Sequence, residues 1–193
     1  MEKRLIFLPV FFVSFIILLV SFLKSASIEY AFSLSPSPAP ESFNKVEVDY
    51  LLPDPLLTPE SPFWFFQAVF DRFDKNAQDY LENADARLVA GLRMLNKGKI
   101  EESIVVFQKA EQYLRKSYDT ALSESNGQKN GQLLYRISLA SLKHREILES
   151  VLVRTPEDGR AVVVEILDIP KAIYEGSIPE LIKQGLNPPE YPF

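Results

Sequence analysis

Cysteine is absent from the 193 residues, histidine occurs once, and only seven glycines are present. Without thiols there can be no disulfide, thiolate zinc site, iron–sulfur cluster, cysteine nucleophile or c-type haem attachment. The lone imidazole, His144, has no second His or Cys with which to build a metal site. The acidic residues do not follow calcium-loop spacing around a glycine. None of the glycines forms a GxGxxG or P-loop pattern, and no Gly-x-Ser-x-Gly elbow occurs, which removes the common phosphate cradles and serine nucleophiles. These gaps point away from catalysis, and no cofactor is expected. Basic residues are scarce as well. Beyond residue 27 the chain carries 18 Lys and Arg against 25 Asp and Glu, a net charge of −7. Phosphate backbones are bound by clustered Lys and Arg, so nucleic acid is not an expected partner.

What is present begins with a long uncharged run. Leu5 to Leu23 holds 16 apolar residues in 19 positions. As a helix it would reach about 28 Å, close to the hydrocarbon thickness of a bilayer. Lys3 and Arg4 precede it, which favours an N-inside orientation with the remainder outside the cytoplasm. The same run reads as a secretory signal with Ser25-Ala26-Ser27 as the cleavage site. Its length exceeds the usual signal core and favours a single-pass anchor. Cleavage after Ser27 would make the protein secreted. The membrane is thus an expected partner through Leu5–Leu23.

A spacer follows. Seven of the fourteen prolines fall between Pro36 and Pro62, and SPSPAP at 35–40 biases the backbone to extended, polyproline-like conformations. Val46 to Tyr50 alternates like a short strand with no partner strand in view, and is expected to pack as an extended segment. Ser61-Pro62 then reads as a helix start. The spacing predicts an apolar helix over 62–73, with Phe63, Phe66, Phe70 and Phe73 at steps of three and four.

Three longer amphipathic helices are predicted over 75–96, 100–123 and 132–154. Asp74 is the expected cap of the first, and its stripe is Ala77, Leu81, Ala84, Leu88, Leu92 and Leu95. Gly98 supplies the left-handed turn into the second, which shows Ile104, Phe107, Ala110, Leu114, Tyr118 and Ala121. Asn126 to Gly131 reads as a loop. The third stripe, Leu133, Ile137, Ala140, His144, Ile147 and Val151, is heptad-like, as in a coiled coil. Thr155-Pro156 restarts a helix that should stop or kink before Pro170, and Ser177-Ile178-Pro179-Glu180 opens a last short helix ending at Gly185.

The expected fold is therefore all-α: an antiparallel bundle of three long helices with shorter flanking helices, behind an N-terminal membrane segment. Its parts are a membrane-directed segment at 1–27, an extended linker at 28–61, the bundle at 62–185 and a loose tail at 186–193.

Two groups of residues stand out as candidate sites. Phe63, Trp64, Phe66, Phe70 and Phe73 form the densest aromatic cluster outside the anchor, suited to core packing or to a partner surface. Arg72 is the only basic residue of that helix, which weakens a membrane-surface role. Tyr80, Phe107 and His144 are candidates for an inter-helix pocket. The position of His144 on an apolar stripe favours a satisfied core residue over a catalyst or ligand.

The stretch from Pro53 to Leu95, with its proline and acid segment, its Ser61-Pro62-Phe63 helix start and its Ala84-x-x-Arg87-Leu88 step, resembles an uncharacterised bacterial helical family, the domain of unknown function 5667. Lys143-His144, followed by an apolar heptad and the Thr155-Pro156 turn, looks like that family's second hairpin. The resemblance covers roughly residues 50–170. It implies an exported or membrane-tethered helical protein and brings no activity with it. Residues 87–115 are also similar to a single tetratricopeptide hairpin through Gly91, Gly98, Phe107 and Ala110, but no second copy appears near a 34-residue spacing. The expected function is a non-catalytic protein-binding or scaffold module of the cell envelope, acting on an envelope protein or a second copy. An extracytoplasmic small-ligand sensor is the alternative.

Overall fold

A computed structural model of the chain describes residues 48–53, 76–124 and 128–190. The membrane-directed run Leu5–Leu23, most of the linker and the aromatic helix expected over 62–73 lie outside the described residues. Among the described residues the structure is all-helical, with four helices and no strand. No helix among them is long and apolar enough to cross a membrane.

The helices are α1 (Ala77–Asn96), α2 (Ile100–Ser123), α3 (Gln128–Arg154) and α4 (Glu157–Lys183). Packing pairs α1 with α2 and α3 with α4. The two hairpins then meet chiefly through α2 on α4, with smaller contacts of α2 and α1 on α3. Short connections leave each pair no alternative to an antiparallel arrangement. The core where they meet takes Ala77, Leu81 and Ala84 from α1, and Leu114, Tyr118 and Ala121 from α2. To these are added Leu134, Ile137 and Ala140 from α3, and Ile173 and Leu181 from α4.

The apolar stripes are where the sequence puts them. All six expected core positions of α2 are buried, and of the α1 and α3 stripes only Leu92 and Leu133 are half-exposed. Gly98 ends α1 with a φ of 79°, its N–H donating to the Leu95 carbonyl at 3.0 Å and that of Lys99 to the Met94 carbonyl at 3.0 Å. This double closure is the Schellman motif, and it recurs after α4. There Gly185 has a φ of 74°, with Gly185 N–H on Ile182 at 2.9 Å and Leu186 N–H on Leu181 at 3.0 Å.

Several helix ends differ from the expectation. Asn76, not Asp74, caps α1: its side-chain oxygen accepts from the Asp79 N–H at 2.8 Å while its amide donates back to the Asp79 carboxylate at 2.7 Å. The first bond satisfies one orphan N–H of the helix start, and the second, between side chains, fixes the asparagine that makes it. Thr155 does not cap α4 either. Its hydroxyl donates to the Val151 carbonyl at 2.7 Å and closes α3, and Pro156 takes the cap position without a side-chain bond. Gly131 is not in a loop but buried in the first turns of α3. A Cβ there would lie 2.6 Å from Gln184 Oε1 and 2.8 Å from a Leu186 methyl, so the missing side chain is what lets the end of α4 close over the start of α3.

The largest correction concerns Pro170 and Pro179. Both lie inside one continuous helix, α4, so the bundle has four long helices instead of three with a pair of short ones. Each proline forfeits a helical hydrogen bond at a cost of about 3 kcal/mol in a free helix. Burial along one face offsets it: Val163, Ile166, Leu167, Pro170, Ile173, Ser177 and Leu181 are all buried. Ser177 is fixed as well, its hydroxyl lying 2.8 Å from that of Ser138 on α3 and 2.7 Å from the Tyr174 carbonyl. Unlike Pro170, Pro179 is exposed. Pro179→Ala therefore restores a helix donor without emptying the core and is expected to raise stability by about 1–2 kcal/mol, less than the full propensity difference because the unfolded chain gains freedom. Urea unfolding followed by circular dichroism measures it. The expected loose tail is also docked as far as it is described, with Pro189 buried and its carbonyl accepting from the Tyr174 hydroxyl at 2.9 Å.

Candidate functional site: a buried charge cluster under a strap

Three charged side chains converge inside the bundle. On α1, Leu81, Ala84, Asp85 and Leu88 follow the three-and-four spacing of a buried face, and on α2 so do Phe107, Ala110, Glu111 and Leu114. The third of these faces is presented by α3 with His144. Asp85, Glu111 and His144 are consequently aimed into the interior by helical geometry, and all three are buried.

His144 Nδ1 lies 2.6 Å from Glu111 Oε1, and Nε2 lies 3.0 Å from Asp85 Oδ1. Both ring nitrogens face carboxylate oxygens, so both act as donors and the ring is an imidazolium. Burial by itself would push its pKa down, but the Glu111 carboxylate and the hydrogen bonds to Asp85 and Glu111 outweigh it and hold His144 up at about 10. The second oxygen of Glu111, Oε2, is buried with no hydrogen bond among the described residues.

The second oxygen of Asp85 is taken from outside the helices. Residues 48–50 lie against the bundle in a tight turn, the Tyr50 N–H donating to the Val48 carbonyl at 2.8 Å, and the Tyr50 hydroxyl donates to Asp85 Oδ2 at 2.6 Å. Tyr50 is held protonated: burial raises its pKa first, the Asp85 charge and hydrogen bond raise it further, and Arg136 opposes them. Two residues earlier, the Val48 N–H donates to Glu146 Oε2 at 3.1 Å, and the Val48 carbonyl accepts from Lys143 Nζ at 3.4 Å. Lys143 and Glu146 are themselves paired at 3.1 Å across one turn of α3 and are buried. Of the segment expected to pack extended, Val46 and Glu47 lie outside the described residues, and Val48 to Tyr50 are turned and held by side chains of α1 and α3.

The candidate pocket residues meet different neighbours. Phe107 is fully buried with its ring against Gly91, whereas His144 is enclosed by the two carboxylates. Tyr80 is half-buried on the outer side of the first hairpin, its ring 6.2 Å from that of Tyr113. There the Arg87 guanidinium stacks 4.3 Å from the Tyr113 ring centre, with Lys116 Nζ at 5.2 Å. Phe63, Trp64, Phe66, Phe70 and Phe73 lie outside the described residues. Asp85, Glu111, Tyr50, Lys143 and Glu146 were not singled out by sequence reasoning as site residues. The available signal was the presence of an acid at the same step of two otherwise apolar stripes, matched by a single histidine on a third.

Because the folded pKa of His144 lies above the ordinary value of 6.5, the pair energy is present in full below pH 6.5 and is lost as pH rises toward about 10. Between those limits the folded chain holds one more proton than the unfolded chain at this residue, a slope of about 1.4 kcal/mol of lost stability per pH unit. Urea midpoints are expected to fall steadily from pH 6.5 to 9.5 and to lose that slope in His144→Ala; a flat wild-type profile would mean the ring is neutral.

Chemically the cluster is suited to holding, not to turnover: both ring nitrogens are engaged and the ring stays charged at neutral pH, so it offers no base. Among the described residues no group of three or more His, Asp or Glu is arranged to take a metal ion. Comparison with known proteins adds no relative, since no family model, curated protein or solved structure matches the chain.

Proposed function

We propose that this chain is a non-catalytic helical module of the cell envelope that works by binding protein, displayed outside the cytoplasm behind the membrane-directed segment Leu5–Leu23. The observation that carries this reading is the use made of the one histidine. An enzyme that relied on His144 would need a free ring nitrogen near solvent, and this ring spends both nitrogens on internal carboxylates at zero exposure. The sensor alternative needs open space between helices near Tyr80, Phe107 and His144. The sides of Phe107 and His144 in contact with Gly91, Glu111 and Asp85 are filled by protein. The net charge of −7 beyond residue 27 favours solubility and selectivity in protein contacts.

Crosslinking with mass spectrometry in native envelopes tests it. The expected result is a reproducible set of crosslinks from α1 to α4 to one partner protein or to a second copy. Recovery of no partner, not even a second copy, would overturn the module. N-terminal sequencing tests the tether: a mature protein beginning near Ile28 would replace an anchored protein by a secreted one.

A further inference from the structure

We propose that the face formed by Asp85, Lys143 and Glu146 is a recognition site for a turned peptide bearing an apolar residue and a tyrosine two positions later, occupied in cis by residues 48–50. This gives the binding-module reading a ligand class and rests on it.

The contacts are those of peptide recognition. At Val48 the bundle reads main chain, with Glu146 taking the N–H and Lys143 meeting the carbonyl, while the side chain is 6% exposed. At Tyr50 it reads one specific group, the hydroxyl, through Asp85. The residues between and after are not read: Asp49 is exposed and Leu51 is 94% exposed. The turn closed by the Tyr50 N–H on the Val48 carbonyl at 2.8 Å carries both side chains to the bundle, with main-chain bonds giving affinity and the hydroxyl bond giving specificity.

The receiving groups also have partners within the helices. Lys143 and Glu146 balance each other's charge on α3. Asp85 is fixed from behind by His144, which is fixed in turn by Glu111. A preformed site lowers the ordering cost of any peptide that enters it.

Self-occupancy follows from the tether. Residues 54–75, 22 in number, join the strap to α1. Because the cis copy is covalently joined to its site, it has the advantage of an intramolecular ligand, and a free peptide at micromolar concentration competes only once the cis copy is weakened.

The test uses the full chain, with the changes made in the strap so that the receiving side chains stay intact: Tyr50→Ala and, separately, Val48→Asp. A fluorescent peptide of residues 44–53 is titrated by anisotropy, with hydrogen exchange at the Val48 amide reporting strap release and circular dichroism reporting the bundle. Both variants are expected to stay helical, to lose at least tenfold protection at residue 48, and to bind the peptide at least tenfold more tightly than wild type does. Replacing the peptide's tyrosine by phenylalanine should weaken that binding at least tenfold. A folded variant with a freely exchanging residue 48 and no peptide binding overturns the proposal, and so does undiminished protection in both variants. Unfolding of both variants overturns it as well, because the strap would then be core and not ligand. A partner crosslinked elsewhere on the helices, together with absent peptide binding, would sink this site and leave the module reading standing.

Discussion

Replacing His144 by alanine is expected to destabilise the protein by about 3–5 kcal/mol, the range found when one partner is removed from a buried ion pair. The imidazolium stands between Glu111 Oε1 at 2.6 Å and Asp85 Oδ1 at 3.0 Å, with all three side chains buried. Without it two carboxylates remain in the interior, and Glu111, whose other oxygen already has no hydrogen bond among the described residues, keeps none. Desolvated and uncompensated charge is the expensive outcome, far more so than the loss of one ring's packing. The same argument gives a sharper companion result. Converting the whole cluster to apolar residues, His144→Leu with Asp85→Leu, Glu111→Leu and Tyr50→Phe, should cost less than His144→Ala alone, because no charge is left stranded. Urea denaturation at pH 7 separates the two. If the single variant lost under 1 kcal/mol, the cluster would not be the buried charged triad described above.

That contrast bears on why the cluster is there. Apolar residues could fill this space at least as stably, but they would offer the strap nothing to recognise. Asp85 has one oxygen on His144 and the other on Tyr50, so the imidazolium that balances the interior also orients the acceptor that receives the strap. Lys143 and His144 are neighbours in sequence and divide the work on α3: one meets the strap's main chain, the other anchors the acceptor.

Much of the fold was legible because apolar spacing reports burial directly. The α2 stripe of Ile104, Phe107, Ala110, Leu114, Tyr118 and Ala121 is buried without exception. Glycine chemistry was legible too, since at Gly98 a left-handed turn requires it. Proline misled because its local cost is fixed while the compensation is tertiary: nothing near Pro170 in sequence shows that the face from Val163 to Leu181 will be buried along its length. The site was half legible. His144 on an apolar stripe could be recognised as a core residue, but its partners are 33 and 59 residues away, and the strap contacts span 95 and 98. Such pairings depend on which helix faces which, and amphipathic spacing gives the face without the neighbour. Asp85 and Glu111 were readable only as interruptions of their stripes.

Gly91 and Phe107 provide a test in which the effect of one substitution should change sign. A methyl on Gly91 would sit 2.5 Å from Phe107 Cε1 and 2.7 Å from Cδ1, inside contact distance, and the ring is fully buried with no free direction to retreat. In an unhindered helix interior glycine to alanine gains about 1 kcal/mol. With a contact as short as 2.5 Å, overpacking in the upper part of its usual range, about 2–3 kcal/mol, opposes it here, so Gly91→Ala is expected to lose about 1–2 kcal/mol net. Phe107→Ala alone should lose about 3–5 kcal/mol, as a large ring leaves the core. Once the ring is gone the obstacle to a methyl at 91 is gone with it, and Gly91→Ala on the Phe107→Ala background should stabilise by about 1 kcal/mol through helix propensity. The two single losses therefore exceed the double, a coupling of about 2–3 kcal/mol that a double-mutant cycle reads from four unfolding curves. Equal effects of Gly91→Ala in both backgrounds would mean that the close approach of α1 and α2 is set by something other than this ring against this glycine.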